Sequence, residues 1–156
     1  MNLNMKLNAL VVATLTVAAL SPSLAYCSDT AMKNRPAVQT HAARYRAVFH
    51  IAGGDSKKWN QALNNAQNVQ KTLGKGNGDI EIVANGGGIG MLKFDSVVGD
   101  RVQEALKNGV KILACENTMK RMNLTKNDML PNIGYTPSGV IEVMQKQQEG
   151  WSYVRN

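Results

Sequence analysis

The chain has 156 residues, 44% of them hydrophobic and 5% aromatic, and a formal net charge of +7. That length suits one domain with a real core, and no internal repeat is present. The positive charge does not make a nucleic-acid binder: the basic residues, Lys57, Lys58, Lys107, Lys120 and Lys126 among them, are scattered and carry no RNA- or DNA-binding signature. The charge reads instead as a solvated surface with some affinity for anions.

Residues 1–25 read as a secretory signal peptide. Lys6 supplies an early positive charge, Ala9 to Leu20 form an apolar run too short to span a bilayer, and Ser23-Leu24-Ala25 offers small residues for cleavage after Ala25. Leu24-Ala25-Tyr26-Cys27 also places a cysteine where a lipoprotein would have one, but the bulky Tyr26 opposes lipidation. The expectation is an exported protein with no stable membrane anchor after cleavage, periplasmic in a Gram-negative cell. Residues 26–43 are polar, contain Pro36 and lack apolar periodicity, which predicts a flexible tail before a domain spanning 44–156.

Tyr45 to Ile51 reads as the first strand. Asp55 or Ser56 then caps a helix to about Leu73, with Trp59, Ala62, Leu63, Ala66, Val69 and Leu73 in one stripe at spacings of three and four. Gly74, Gly76 and Gly78 end it. Ile80 to Ala84 is the second strand, followed by Asn85-Gly86-Gly87-Gly88-Ile89-Gly90, where the backbone can turn sharply or approach another group closely. This run lacks both the complete G-x-G-x-x-G dinucleotide fingerprint and the Lys-Ser/Thr of a P-loop, so no nucleotide cofactor is expected.

Val97 to Asn108 reads as a second helix, with Val98, Val102, Ala105 and Leu106 inward and Gly109 as its stop. Val110 to Ala114 is an apolar strand running into Cys115, and Asn117 or Thr118 is the expected cap of a short helix after it. Thr125 and Asp128 have capping-box spacing, with Pro131 ending that turn. Ile133 to Tyr135 is a fourth strand. Thr136 is the expected cap and Pro137 the first residue of a helix to about Gln148, with Val140, Ile141, Val143 and Met144 inward. Trp151 to Val154 is a last strand.

Short apolar strands alternating with helices demand an α/β fold: a mainly parallel, five-stranded sheet with helices on both faces. The C-terminal edge of such a sheet is where ligands bind. It would gather Gly53, Asn85 to Gly88, Cys115 to Thr118 and Thr136 to Gly139, with Asn85, Gly86, Gly88, Asn117, Thr118, Ser138 and Gly139 as candidate binding residues around Cys115. A thiol between a strand end and a helix start meets partial positive charge that favours thiolate, although the adjacent Glu116 opposes it and a buried strand cysteine is commonly plain core.

Several segments resemble small exported members of the DsrE/DsrF-like family. They are Lys58-Trp59-Asn60-Gln61-Ala62-Leu63, Val83-Ala84-Asn85-Gly86, Cys115-Glu116-Asn117-Thr118-Met119, Asp128-Met129-Leu130-Pro131, Pro137-Ser138-Gly139-Val140 and Gln147-Gln148-Glu149-Gly150-Trp151. The resemblance covers roughly residues 45–154. It implies a three-layer α/β/α domain, often in a homo-oligomer. It also implies a cysteine at the end of a central strand that carries sulfur as a persulfide between donor and acceptor proteins. Cys115 falls at that position, and the Ser138-Gly139 turn resembles the family segment nearby.

Three functions compete. The first is sulfur handling through a Cys115 persulfide. The second is a non-catalytic module that binds a small ligand or partner at the Asn85–Gly88 and Ser138–Gly139 edge. The third is thiol-disulfide work, which in the absence of a C-x-x-C needs Cys27 as resolving thiol. No metal is expected: His41 lies in the tail, and His50 near a strand end reads as a packed or hydrogen-bonded histidine without companion ligands. No G-x-S-x-G supports serine hydrolysis.

Overall fold

A computed structural model of the chain describes residues 45–156 except Lys75. The expected signal peptide, the tail and Cys27 lie outside the described residues. Five strands form one all-parallel sheet: β1 (Tyr45–Ile51), β2 (Gly78–Ala84), β3 (Lys111–Cys115), β4 (Gly134–Thr136) and β5 (Ser152–Arg155), in the spatial order β4-β3-β2-β1-β5. Four helices connect them: α1 (Ser56–Leu73), α2 (Gly99–Lys107), α3 (Glu116–Arg121) and α4 (Gly139–Gln148). Among the described residues no helix is long and apolar enough to cross a membrane.

Strand alternation sorts the core onto two faces. Phe49, Ile82 and Ile112 are in register across β1, β2 and β3 and pack with Trp59, Ala62, Leu63 and Ala66 of α1 and Val102 of α2. The other face carries a smaller cluster, Val48, Val83 and Leu113 under Val143 of α4, with Trp151 against it. The chain steps from β1 to β4 in one direction, then returns through α4 on the opposite face to place β5 beside β1. Such a reversal is what right-handed crossovers require when helices change face. The strand order reverses between β1 and β5, but the connections after β3 and β4 leave toward opposite faces, and there Cys115 pairs with Thr136.

Asp55 caps α1 as expected, its side chain accepting the Lys57 N–H at 2.9 Å. Thr125 and Asp128 form the expected reciprocal capping box. Several local expectations are corrected. β2 starts at Gly78, two residues before Ile80, because Gly78 pairs with Tyr45. α2 begins at Gly99, since Val98 still has a non-helical backbone. The run after Asn85 is a tight 3-10 turn, Gly86–Leu92, with Gly88, Ile89, Met91 and Leu92 buried. The cap of α3 is Cys115 itself, whose backbone is extended (φ −76°, ψ 110°), so Asn117 and Thr118 lie in the first helical turn. Thr136 stays in β4 and Ser138 is the cap of α4, leaving Pro137 outside the helix with its carbonyl accepting the Asn117 N–H at 3.2 Å.

The inward face of α4 is also narrower than expected. Val143 is buried, whereas Val140, Ile141 and Met144 are about half exposed. The reason lies beneath the helix, where the row on that face presents Glu81 beside Lys111 rather than an apolar pair.

Candidate functional site

Cys115 is a free thiol, 4% exposed, at the last position of β3. The backbone N–H of Gly139, opening α4, donates to its Sγ at 3.2 Å. Burial pushes the thiol pKa up, but the Thr118 hydroxyl and the backbone N–H groups of Gly139, Thr118 and Asn117 outweigh it, and the net shift is downward. These donors come from the first turns of two different helices. The sharp exit from β3 places the start of α3 beside the sulfur, with the Asn117 N–H donating to the Pro137 carbonyl at 3.2 Å, and the chain after β4 delivers the Gly139 N–H from the other side. An apolar core thiol collects no such set of donors.

Thr118 is a relay within this arrangement. It is buried, and while its hydroxyl bonds to the sulfur its Oγ1 accepts the Gly86 N–H at 3.1 Å. The glycine run thus reaches the site through one amide. Gly88, expected at the binding edge, does not face it. Its N–H is spent on Asn85 O at 2.8 Å and Ala52 O at 3.3 Å, and a Cβ there would lie 2.1 Å from the Ile51 carbonyl oxygen. The glycine is needed so that the turn can press onto the end of β1. Ser138 supplies the half-buried cap residue without a side-chain cap bond, and the Asn117 side chain is exposed.

Gly139 has a second role. A Cβ built on it would lie 3.2 Å from Cys115 Cβ, 3.2 Å from Val83 Cγ1 and 3.3 Å from Asn85 Cβ. Asn85 and Cys115 therefore pack side by side against the Gly139 backbone, where only a glycine fits without displacing them. Asn85 is fixed from behind by His50, whose Nε2 is 3.1 Å from its Oδ1, while His50 Nδ1 is 3.2 Å from the Tyr153 hydroxyl. His50 is hydrogen-bonded, as its strand-end position leads one to expect. Sequence reasoning placed Thr136 at this edge but missed Tyr153 as a neighbour of the site, because its position depends on strand order. Thr136 lies beside Cys115 in register, and its hydroxyl donates to Glu142 Oε2 at 3.1 Å.

Among the described residues no group of three or more His, Cys, Asp or Glu side chains could hold a metal ion. The arrangement offers a stabilised thiolate with neutral donors around it and no charged side chain touching the sulfur.

A sequence profile of the DsrE/DsrF-like family matches residues 47–155, nearly all of the described domain. The chain belongs to the DsrE/DsrF-like family. Among solved structures, this family member is similar to a protein of unknown function, MTH1491, from Methanobacterium thermoautotrophicum. The two are 33% identical, with 72% of this chain and 99% of that chain covered and a TM-score of 0.68. A conserved protein of unknown function, BT1422, from Bacteroides thetaiotaomicron shares the fold at 16% identity, covering 74% and 98% of the two chains with a TM-score of 0.60. A comparison with curated proteins returned no match. Together with the all-parallel five-stranded sheet, these likenesses establish the α/β fold of the DsrE/DsrF-like domain.

Proposed function

We propose that this protein handles sulfur through Cys115, accepting a sulfane sulfur as a persulfide and passing it on, and that it does so after export. The observation that carries the reading is the converging set of donors on Sγ, with the Gly139 N–H at 3.2 Å and the thiol shifted toward its anion. Export rests on the reading of residues 1–25 as a signal peptide. In the acceptance step the Cys115 thiolate attacks a sulfane sulfur of a polysulfide dianion. The Sγ–S bond forms, one S–S bond of the polysulfide breaks, and its electron pair leaves on a dianion shortened by one sulfur. The product is the Cys115 persulfide anion, so charge and atoms balance without an added oxidant. A donor or acceptor protein would exchange sulfur by the same chemistry.

One observation favours a second reading, a non-catalytic binding module: Cys115 is 4% exposed, as a core thiol would be. The two readings separate in one experiment on protein lacking residues 1–25 and carrying Cys27→Ser. Sulfur handling predicts an alkylation rate that rises with pH through an apparent pKa below the usual ~8.5 of a free cysteine, and a gain of sulfur at Cys115 by intact mass after exposure to sodium tetrasulfide. A thiol that reacts only after unfolding, with no sulfur gained, would leave the binding module as the reading.

A further inference from the structure

We propose that His50 is a positioning residue for this site. With Tyr153 behind it, His50 holds the Asn85 amide so that Nδ2, and not Oδ1, is offered to the outer sulfur of a Cys115 persulfide. The proposal rests on the sulfur-handling reading above.

The register sets the geometry. Ala84 pairs with Ala114, so Asn85 and Cys115 are the residues that leave adjacent strands side by side. A Cβ on Gly139 would press on both, at 3.3 Å from Asn85 Cβ and 3.2 Å from Cys115 Cβ, so the two side chains stand side by side against the same glycine backbone.

The hydrogen-bond polarity follows from the chemistry of the groups. Asn85 Oδ1 has no proton to give, so His50 Nε2–H must donate across the 3.1 Å contact. In that tautomer Nδ1 carries a lone pair and accepts the Tyr153 hydroxyl at 3.2 Å. The chain of donation runs from Tyr153 to His50 to Asn85. The Asn85 backbone is held as well, its N–H on Ile51 O at 3.0 Å and its carbonyl accepting the Gly88 N–H at 2.8 Å. With Oδ1 occupied, Nδ2 makes no hydrogen bond among the described residues, so a donor with spare capacity stands next to the thiol.

A persulfide needs such a donor. Its terminal sulfur carries the negative charge and lies about 2.05 Å beyond Sγ. The Gly139 amide, which donates to Sγ at 3.2 Å, then faces the inner, uncharged sulfur. An asparagine amide has two nearly isosteric ends, one attractive to an anion and one repulsive. Rotation about its last side-chain bond exchanges them. His50 decides between them, since only the orientation that keeps Oδ1 on Nε2–H satisfies the ring.

The test compares His50→Phe, His50→Gln and Asn85→Asp with the parent, each lacking residues 1–25 and carrying Cys27→Ser. Folding is checked by circular dichroism, the resting thiol by its iodoacetamide rate, and the persulfide by its half-life in intact mass spectra after sodium tetrasulfide. In His50→Phe and Asn85→Asp the half-life should fall by about tenfold, the worth of one hydrogen bond to an anion. In His50→Phe and His50→Gln the resting alkylation rate should change less than about twofold, whereas the new carboxylate of Asn85→Asp should slow it as well. His50→Gln retains a side-chain N–H donor and should restore much of the half-life. A parent-like half-life in His50→Phe, or equal losses in His50→Phe and His50→Gln, would overturn the proposal. If the parent itself takes up no sulfur, the sulfur-handling reading fails and this assignment falls with it, an outcome distinct from the other two.

Discussion

The two faces of the sheet are built to different standards. Under α1 and α2 the core is thick and entirely apolar. Phe49, Ile82 and Ile112 meet Trp59, Leu63 and Val102, and Ile89, Met91 and Leu92 seal the end. Under α4 only Val48, Val83, Leu113 and Val143 form a cluster, and the same face buries Glu81 against Lys111 at 2.9 Å. Hydrophobic burial scales with area, so the first face supplies most of the stability. The second face holds Gly139 against Cys115. The lesson is a division of labour: the thick face keeps the sheet edge in place, and the thin face bears on the thiol.

The largest expected effects come from the thick face. Phe49→Ala should cost about 3–5 kcal/mol, a large part of the stability of a domain that has about 5–15 kcal/mol in total. Gly88→Ala should be comparably damaging, because its Cβ meets the Ile51 carbonyl oxygen at 2.1 Å and neither backbone can yield. Urea denaturation checks both, and a near-parental midpoint in either variant would break the comparison.

Val143→Ala on the thin face removes two buried methyl groups, worth about 1.5–2 kcal/mol. It should lower the urea midpoint modestly without changing the slope. It should also raise the alkylation rate of native Cys115, since the start of α4 then packs less firmly over the sulfur. An unchanged rate would mean that α4 does not control access to the thiol.

Glu81→Gln should stabilise. Burial lifts the Glu81 pKa, with the Lys111 ion pair opposing it. A carboxyl whose folded pKa is raised favours the fold below its unfolded value of about 4.3 and loses that contribution as pH rises through the folded value. At neutral pH the buried charge is therefore a burden. The substitution should gain about 1 kcal/mol, a Tm rise of ~4 °C, at pH 7.5 and nothing near pH 4. A gain of equal size at both pH values would show that the charge is not the cause.

The smallest effect on the isolated domain belongs to Ile141→Glu on the half-exposed side of α4, within about 0.5 kcal/mol. Urea denaturation checks it, and a loss of more than about 1 kcal/mol would show that this side of α4 packs against the domain.

Much of this architecture was legible in the sequence because its signals are local. The stripe from Trp59 to Leu73, the Asp55 cap, the Thr125–Asp128 capping box and the alternation of strands and helices each follow from neighbours within a few residues. The position of Cys115 at a strand end was readable in the same way. What was not readable depends on strand order and register. That Thr136 and Gly139 share an edge with Cys115 was readable, but the Gly139 N–H on the sulfur and Tyr153 behind His50 join residues more than twenty apart. Glu81 went unremarked because one carboxylate in an apolar strand carries no pattern until its Lys111 partner is placed. The inward side of α4 was read too broadly for the same reason, since a helix face is apolar inward only to the extent that the layer beneath it is apolar.

The position of β5 has a consequence for how the molecule comes together. Ser152–Arg155 pairs with Ala47–His50, joining the two ends of the described domain. The sheet edge beside β1 closes last in any process that proceeds along the chain, because its partner is the final strand. Contacts of such long sequence separation slow the folding search. Until they form, His50 lacks Tyr153 and the edge of β1 stands open to pairing with other chains. Refolding after urea dilution should show the fluorescence of Trp59, which α1 packs onto the sheet, changing ahead of that of Trp151, which adjoins β5. Maturation of the thiol site should follow the slower signal.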